Sequence, residues 1–104
     1  MDKYRVELSS IAIKDIKRII RYIKKQLKEP LIAEKYGELF IEEASRLEIF
    51  PERHLIVSED KIKFKNIRRL QVKNYCVFYR INDEKRVVTI ERVLYGASNW
   101  EEKL

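Results

Sequence analysis

Along residues 67–95, apolar and polar positions form three runs rich in Val, Ile, Tyr and Phe. Two short polar breaks separate them, Lys73-Asn74 and Asn82-Asp83-Glu84-Lys85. β-Branched and aromatic side chains suit a pleated, half-buried surface, and breaks this short suit hairpins. The pattern predicts an antiparallel meander of three strands. In its second strand Tyr75, Val77, Tyr79 and Ile81 share one face, while Cys76, Phe78 and Arg80 share the other. The first set is expected under a helical layer. The second set, joined by Arg69 and Gln71, is expected on a face with less to cover it. Along residues 86–95 no single alternation fits Val87, Val88, Ile90, Val93 and Leu94, which predicts a bulge near Glu91-Arg92.

The N-terminal half reads differently. Tyr4-Arg5-Val6-Glu7-Leu8 alternates with period two, the mark of a short strand with one buried face. Ser9 follows as an N-cap, its hydroxyl able to accept from an otherwise unpaired backbone N–H. Ile13, Ile16, Ile20, Ile23 and Leu27 then recur at steps of three and four, widened by Ile19. Lys14, Lys17, Arg18, Arg21, Lys24, Lys25 and Lys28 take the remaining positions of this amphipathic helix. Pro30 ends it and suits the first turn of a second helix over residues 31–50. That helix places Ala33, Tyr36, Phe40, Ala44 and Leu47 on one face and is closed by Pro51.

So short a connection makes the two helices an antiparallel hairpin. Gly37 inside the second helix suggests close approach of the two backbones. The first helix is basic, and the second carries Glu34, Glu38, Glu42, Glu43 and Glu48, so ion pairs across the hairpin are expected. Residues 51–66 give the weakest signal. Lys61-Ile62-Lys63-Phe64-Lys65 alternates and reads either as a basic loop or as a short edge strand. The order β-α-α-β-β-β is an α+β fold, a helical hairpin packed on one face of an antiparallel sheet.

Composition narrows the picture further. A chain of 104 residues is expected to form a single domain over residues 1–104. Two Gly and two Pro argue against low complexity. Cys76, the one cysteine, cannot close an internal disulfide, and no apolar run approaches the ~20 residues of a membrane span. With no signal-like apolar core at the N-terminus, the expected location is cytoplasmic. The net charge of +6 favours a polyanionic partner or an acidic protein partner, or marks a well-solvated basic surface.

Candidate chemistry is sparse. His54 and Cys76 match no metal-ligand spacing, and phosphate-loop, serine-elbow and dinucleotide motifs are absent from the sequence. No metal and no cofactor is expected. The remaining signal is cationic and aromatic: Arg68, Arg69, Lys73, Arg80 and Arg92, with Phe78, Tyr79, Tyr95 and Trp100 nearby. Arginine forks bind phosphates and aromatic rings stack on bases. Arg68, Arg69, Lys73, Phe78, Arg80, Arg92 and Trp100 are the candidate target-binding set. Arg69, Arg80 and Arg92 are also the candidates for stabilising phosphate charge in catalysis. The alternative is that the arginines pair with Glu91, Asp83 or a partner protein.

The sequence as a whole resembles the RelE/ParE-type toxins of type II toxin–antitoxin systems. The resemblance rests on Tyr4-Arg5-Val6-Glu7-Leu8-Ser9, Ala12, Asp15-Ile16, Ile19, Tyr22-Ile23 and Leu47-Glu48-Ile49-Phe50-Pro51. It continues through Arg69-Leu70-Gln71-Val72, Tyr75-Cys76-Val77-Phe78-Tyr79-Arg80-Ile81 and Val93-Leu94-Tyr95-Gly96-Ala97. It implies the helical-hairpin fold above and a cognate antitoxin partner with an acidic or amphipathic tail. It also implies one of two targets. ParE-like members act on DNA gyrase by binding, while RelE-like members cut messenger RNA on the ribosome without a metal. Arg69 matches a basic position of the ribonuclease pattern. Gln71, Cys76 and Gly96 stand where further basic residues are common, and Trp100 stands near the catalytic tyrosine. The ending from Leu94 to Trp100 is more similar to the ParE-like branch, with Tyr95 and Ser98 in place of a common histidine and arginine. The ParE-like reading is therefore favoured, with the ribonuclease as the alternative and a non-toxic basic binding module or an inactive homologue as the third.

Overall fold

A computed structural model describes residues 3–57 and 65–104. Strand β1 (Arg5–Leu8) leads into helix α1 (Ser10–Arg21), which continues as a π-helical turn (Tyr22–Gln26). Helix α2 (Pro30–Ser45) returns and ends in a 3₁₀ turn (Arg46–Glu48), followed by a second (Pro51–Arg53). Strands β2 (Arg68–Val72), β3 (Tyr75–Asn82) and β4 (Val87–Tyr95) form the meander, and a last 3₁₀ turn spans Trp100–Glu102.

The local signals act as their chemistry dictates. Ser9 Oγ accepts from the Ala12 N–H at 3.0 Å. Pro30 opens α2, where its missing N–H costs nothing. A Cβ at Gly37 would lie 3.1 Å from Ile20 Cδ1, so the bare backbone lets the helices close on each other. The bulge falls at Glu91: Phe78 pairs with Arg92 and Tyr79 with Ile90, leaving Glu91 without an opposite number. The alternating Lys61–Lys65 segment lies almost wholly outside the described residues. Just before it, Ile56 bridges to Arg68, with Leu55 accepting from the Arg69 N–H.

The sheet order is β1-β4-β3-β2, and β1 runs parallel to β4. The sheet is therefore mixed, where the sequence pattern predicts an antiparallel one. A hairpin forces antiparallel neighbours, but two helices separate β1 from the meander and remove that constraint. The α+β arrangement of a helical hairpin on the sheet holds.

The main core lies where β3 alternation predicts. Val77 and Tyr79 are buried with Tyr4, Ala12, Phe40, Ala44, Leu47 and Leu70. The apolar stripe of α1 is rotated from its expected position. Ala12, Asp15 and Ile23 are buried, whereas Ile13 and Leu27 are exposed. The ion pairs expected between the helices do not form among the described residues. Glu42 and Glu43 pair instead with Arg46 on their own helix, because the two charged faces point away from the apolar seam between them.

The opposite face of the sheet is not open. Ile67, Cys76, Phe78 and Leu94 are covered by Trp100 and Leu104 in a second core. The chain's own last residues thus cover the face expected to be free.

Candidate functional site

The predicted arginines lie on one meander but end in different places. Where β1 stops at Leu8, the second half of β4 loses its strand neighbour, and the start of α1 takes that place. Ser9 Oγ donates to the Glu91 carbonyl at 2.9 Å. The Asp15 carboxylate accepts from the Val93 N–H at 3.0 Å. Arg92 then clamps Asp15 with two bonds, Nε to Oδ2 at 2.8 Å and Nη2 to Oδ1 at 3.0 Å. Asp15 is 1% exposed and Arg92 16%. Hydrogen bonding to Asp15 raises Arg92 above the ordinary arginine pKa and outweighs its desolvation. Arg92 also donates to the Lys103 carbonyl at 3.1 Å, tying the C-terminal turn to the same clamp. An arginine expected to face a phosphate is here a strut, because the bulge aims it at a buried carboxylate.

Arg80 lies on the face away from the helices and pairs with Glu91 at 2.8 Å. Arg69 lies on that face too, opposite Phe78 across the strand pair. Its guanidinium sits 5.6 Å from the centroid of the Trp100 ring. Trp100 in turn covers Phe78, with ring centroids 5.2 Å apart. Phe78 is 0% exposed and Trp100 9%. As surface contacts these two are corrected: each ring shields the other, and only the rim of the stack faces solvent. Arg69 borders a shallow hollow of about 280 Å³ with Gln71, Asn74, Tyr95, Gly96 and Ala97. Gly96 fits tightly there. A Cβ would lie 3.1 Å from the Asn74 carbonyl oxygen, which accepts the Gly96 N–H at 2.7 Å.

Arg68 points to the helix side and donates to the carbonyls of Glu52 and His54, at 2.8 and 2.6 Å. It fastens the segment after α2 to the sheet. Lys73 is exposed at the β2–β3 turn with a left-handed φ of 56°. His54 packs edge-on against Tyr79 at 6.2 Å, and burial, then the Arg53 charge, lowers its pKa. Tyr79 donates to the Pro51 carbonyl, and burial pushes its hydroxyl up to about 12. Cys76 is buried in the second core. Among the described residues, no cluster of His, Cys, Asp or Glu side chains gathers as a metal site. No helix among them is long and apolar enough to cross a membrane.

Two features escaped the sequence pattern. The first is Asp15. It stands in the row Ala12, Ile16, Ile19 and Ile23, and a charge inside an apolar row is the signal that would have found it. The second is a groove of about 700 Å³ between the helical hairpin and the end of β4. Tyr22, Leu27, Ile32, Tyr36, Tyr75 and Tyr95 line it, with Arg18 and Lys103 on its border. The tyrosines stack edge-on, Tyr36 to Tyr75 at 5.7 Å and Tyr75 to Tyr95 at 5.8 Å. Burial raises the Tyr75 pKa, so its hydroxyl stays neutral.

Comparison with known proteins places this geometry. No curated protein matches the sequence significantly. Among solved structures, a chain of the chromosomal ParDE system of P. aeruginosa matches with a TM-score of 0.71 at 15% identity, covering 89% of this chain and 96% of that one. A chain of the RelBE2 toxin–antitoxin complex of Mycobacterium tuberculosis matches at 0.66 and 23%, covering 94% and 97%. One of the archaeal RelE-RelB complex of Pyrococcus horikoshii OT3 matches at 0.61 and 18%, covering 91% and 97%. These likenesses establish the fold. The family model for the ParE toxin of the type II toxin-antitoxin system, parDE, matches residues 6–100, and the chain therefore belongs to that toxin family.

Proposed function

We propose that this toxin acts by binding its target rather than by cutting RNA, with DNA gyrase as that target. The observation that supports binding is the separation of the three candidate arginines. Arg92 is held on Asp15, Arg80 on Glu91, and Arg69 over Trp100. Phosphoryl chemistry needs cations converging on one phosphate, with an acid or base in reach. The proposed contact surface is instead the rim formed by Arg69, Gln71 and Tyr95, all exposed around one hollow, with exposed Lys73 at the adjoining β2–β3 turn. The cognate antitoxin is proposed to lay an amphipathic, acidic segment in the tyrosine-lined groove, its carboxylates toward Arg18 and Lys103. That affinity should weaken with salt.

The deciding experiment adds the purified chain to gyrase supercoiling relaxed plasmid, and in parallel to ribosomes holding a message. Supercoiling should stop while the message stays intact. Cleaved message with unimpaired gyrase overturns the proposal in favour of the ribonuclease.

A further inference from the structure

Helix α1 and its π-helical extension carry a second cationic surface, apart from the sheet rim and meeting the groove at Arg18. Lys14, Lys17, Arg18, Arg21, Lys24 and Lys25 are all exposed. At ~100° per residue the four on α1, Lys14, Lys17, Arg18 and Arg21, fall within an arc of about 100° with no apolar side chain inside it, and Lys24 and Lys25 follow on the π-helical turn. Residues 10–28 hold seven cations against one carboxylate, a net charge of +6 that equals the charge of the whole chain. That carboxylate, Asp15, is buried on Arg92 and reaches the stripe only through Arg18 at 3.3 Å. Among the described residues, the other five have no ion-pair partner, and the glutamates of α2 do not cross to them.

We infer that this stripe is a docking surface for a nucleic-acid phosphate backbone. Three properties select that occupant over an acidic protein. Protein interfaces are built around an apolar core and are depleted in lysine. This face is lysine-rich, convex and free of apolar anchors. Its charge density also fits. Lys14 to Lys25 spans about 17 Å of helix, and a duplex strand carries one phosphate per ~3.4 Å of axis. Five uncommitted cations thus face about five phosphates. Finally, like charges three and four residues apart repel along the helix. A polyanion relieves that repulsion along its whole length. Contacts of this kind position a protein on nucleic acid without reading sequence.

The test is fluorescence anisotropy of a labelled random-sequence duplex DNA, with single-stranded RNA of equal length as a second probe. The full chain is titrated across a salt series. At least one probe should bind, with affinity falling steeply with salt. Neutralising the stripe by Lys17→Gln, Arg21→Gln and Lys24→Gln should lower affinity on the order of 100-fold at 0.1 M salt. It should also flatten the salt slope by about three. Lys17→Arg with Lys24→Arg should retain binding. A dispersed control, Lys3→Gln, Lys35→Gln and Lys85→Gln, should lose little. Equal loss in the dispersed control overturns the inference, since net charge alone would then explain binding. So does the absence of binding to either probe. Binding of poly-glutamate in preference to both reassigns the stripe to an acidic protein and also overturns it.

Discussion

The two faces of the sheet are buried by different means. Beneath the helices, Val77, Tyr79, Leu70, Val72, Val88, Ile90 and Val93 meet Phe40 and Ala44 from α2, Leu47 from the 3₁₀ turn that ends it and Ala12 from α1. Regular elements supply both sides of that contact. On the other face, Phe78, Cys76, Ile67 and Leu94 are closed off by Trp100 and Leu104, from a short terminal turn. The first face is a scaffold. The second is a small cap that carries Arg69 on its outer surface, and short terminal elements belong to the low-stability end of a fold. The difference separates what holds this toxin together from the surface proposed to meet its target.

The largest expected effect comes from cutting the tie between the two regions. Asp15→Ala leaves Arg92 half-buried without its carboxylate and removes the partner of the Val93 N–H. A loss of about 3–5 kcal/mol in urea unfolding is expected for breaking a buried pair. A loss under about 1 kcal/mol, the surface-pair value, would show that the clamp is not structural.

Next comes the cap itself. Trp100→Ala should cost about 3 kcal/mol, at the low end for a large aromatic because a single short turn holds the ring in place. It should also bare Cys76, so that a thiol reagent labels it much faster than in the parent chain. Unchanged labelling would mean that the cap does not control access to the second face.

A smaller effect lies under the helices. Tyr79→Phe leaves the buried Pro51 carbonyl without its donor and should cost about 1–2 kcal/mol. The pH dependence follows from the raised Tyr79 pKa. The folded state holds the proton more tightly than the unfolded chain, whose tyrosine titrates near 10. Stability from this group is complete below pH ~10 and declines as pH rises toward about 12. Tyr79→Phe should abolish that part of the alkaline loss.

The smallest effect is at His54. Its lowered pKa means the fold favours the neutral ring, so its contribution is complete above pH ~6.5 and shrinks as pH falls through the depressed value. His54→Gln should flatten a shallow acid limb of the stability curve. An unchanged limb would assign the acid sensitivity to other groups.

The scaffold was legible in the sequence and the cap was not, for a physical reason. Alternation along β3 and the three-four spacing of Phe40, Ala44 and Leu47 repeat over several turns, so each position supports the next. The β2–β3 and β3–β4 hairpins are local. The parallel pairing of β1 with β4 is long-range and leaves no mark in either strand. Trp100 and Leu104 follow no period, and nothing near them in the chain says which face they cover. Arg92 shows the same limit. Its charge was visible, and so was the bulge beside it, but its partner is Asp15, seventy-seven residues away. The groove is equally non-local, since its tyrosines come from α2, from the partners Tyr75 and Tyr95 at one end of the β3–β4 pair, and from the π-helical turn.

The most direct test of the proposed target surface is at Arg69, which lies outside both cores and whose guanidinium, among the described residues, packs on the Trp100 ring. The measurement is inhibition of gyrase supercoiling by purified Arg69→Ala, with its melting temperature recorded alongside. A cation–π contact at an exposed site is worth about 0.5–1 kcal/mol, so the variant should melt within a few degrees of the parent. It should nevertheless lose most of its inhibition. A folded Arg69→Ala that inhibits as strongly as the parent would contradict the assignment of the capped face as the target surface.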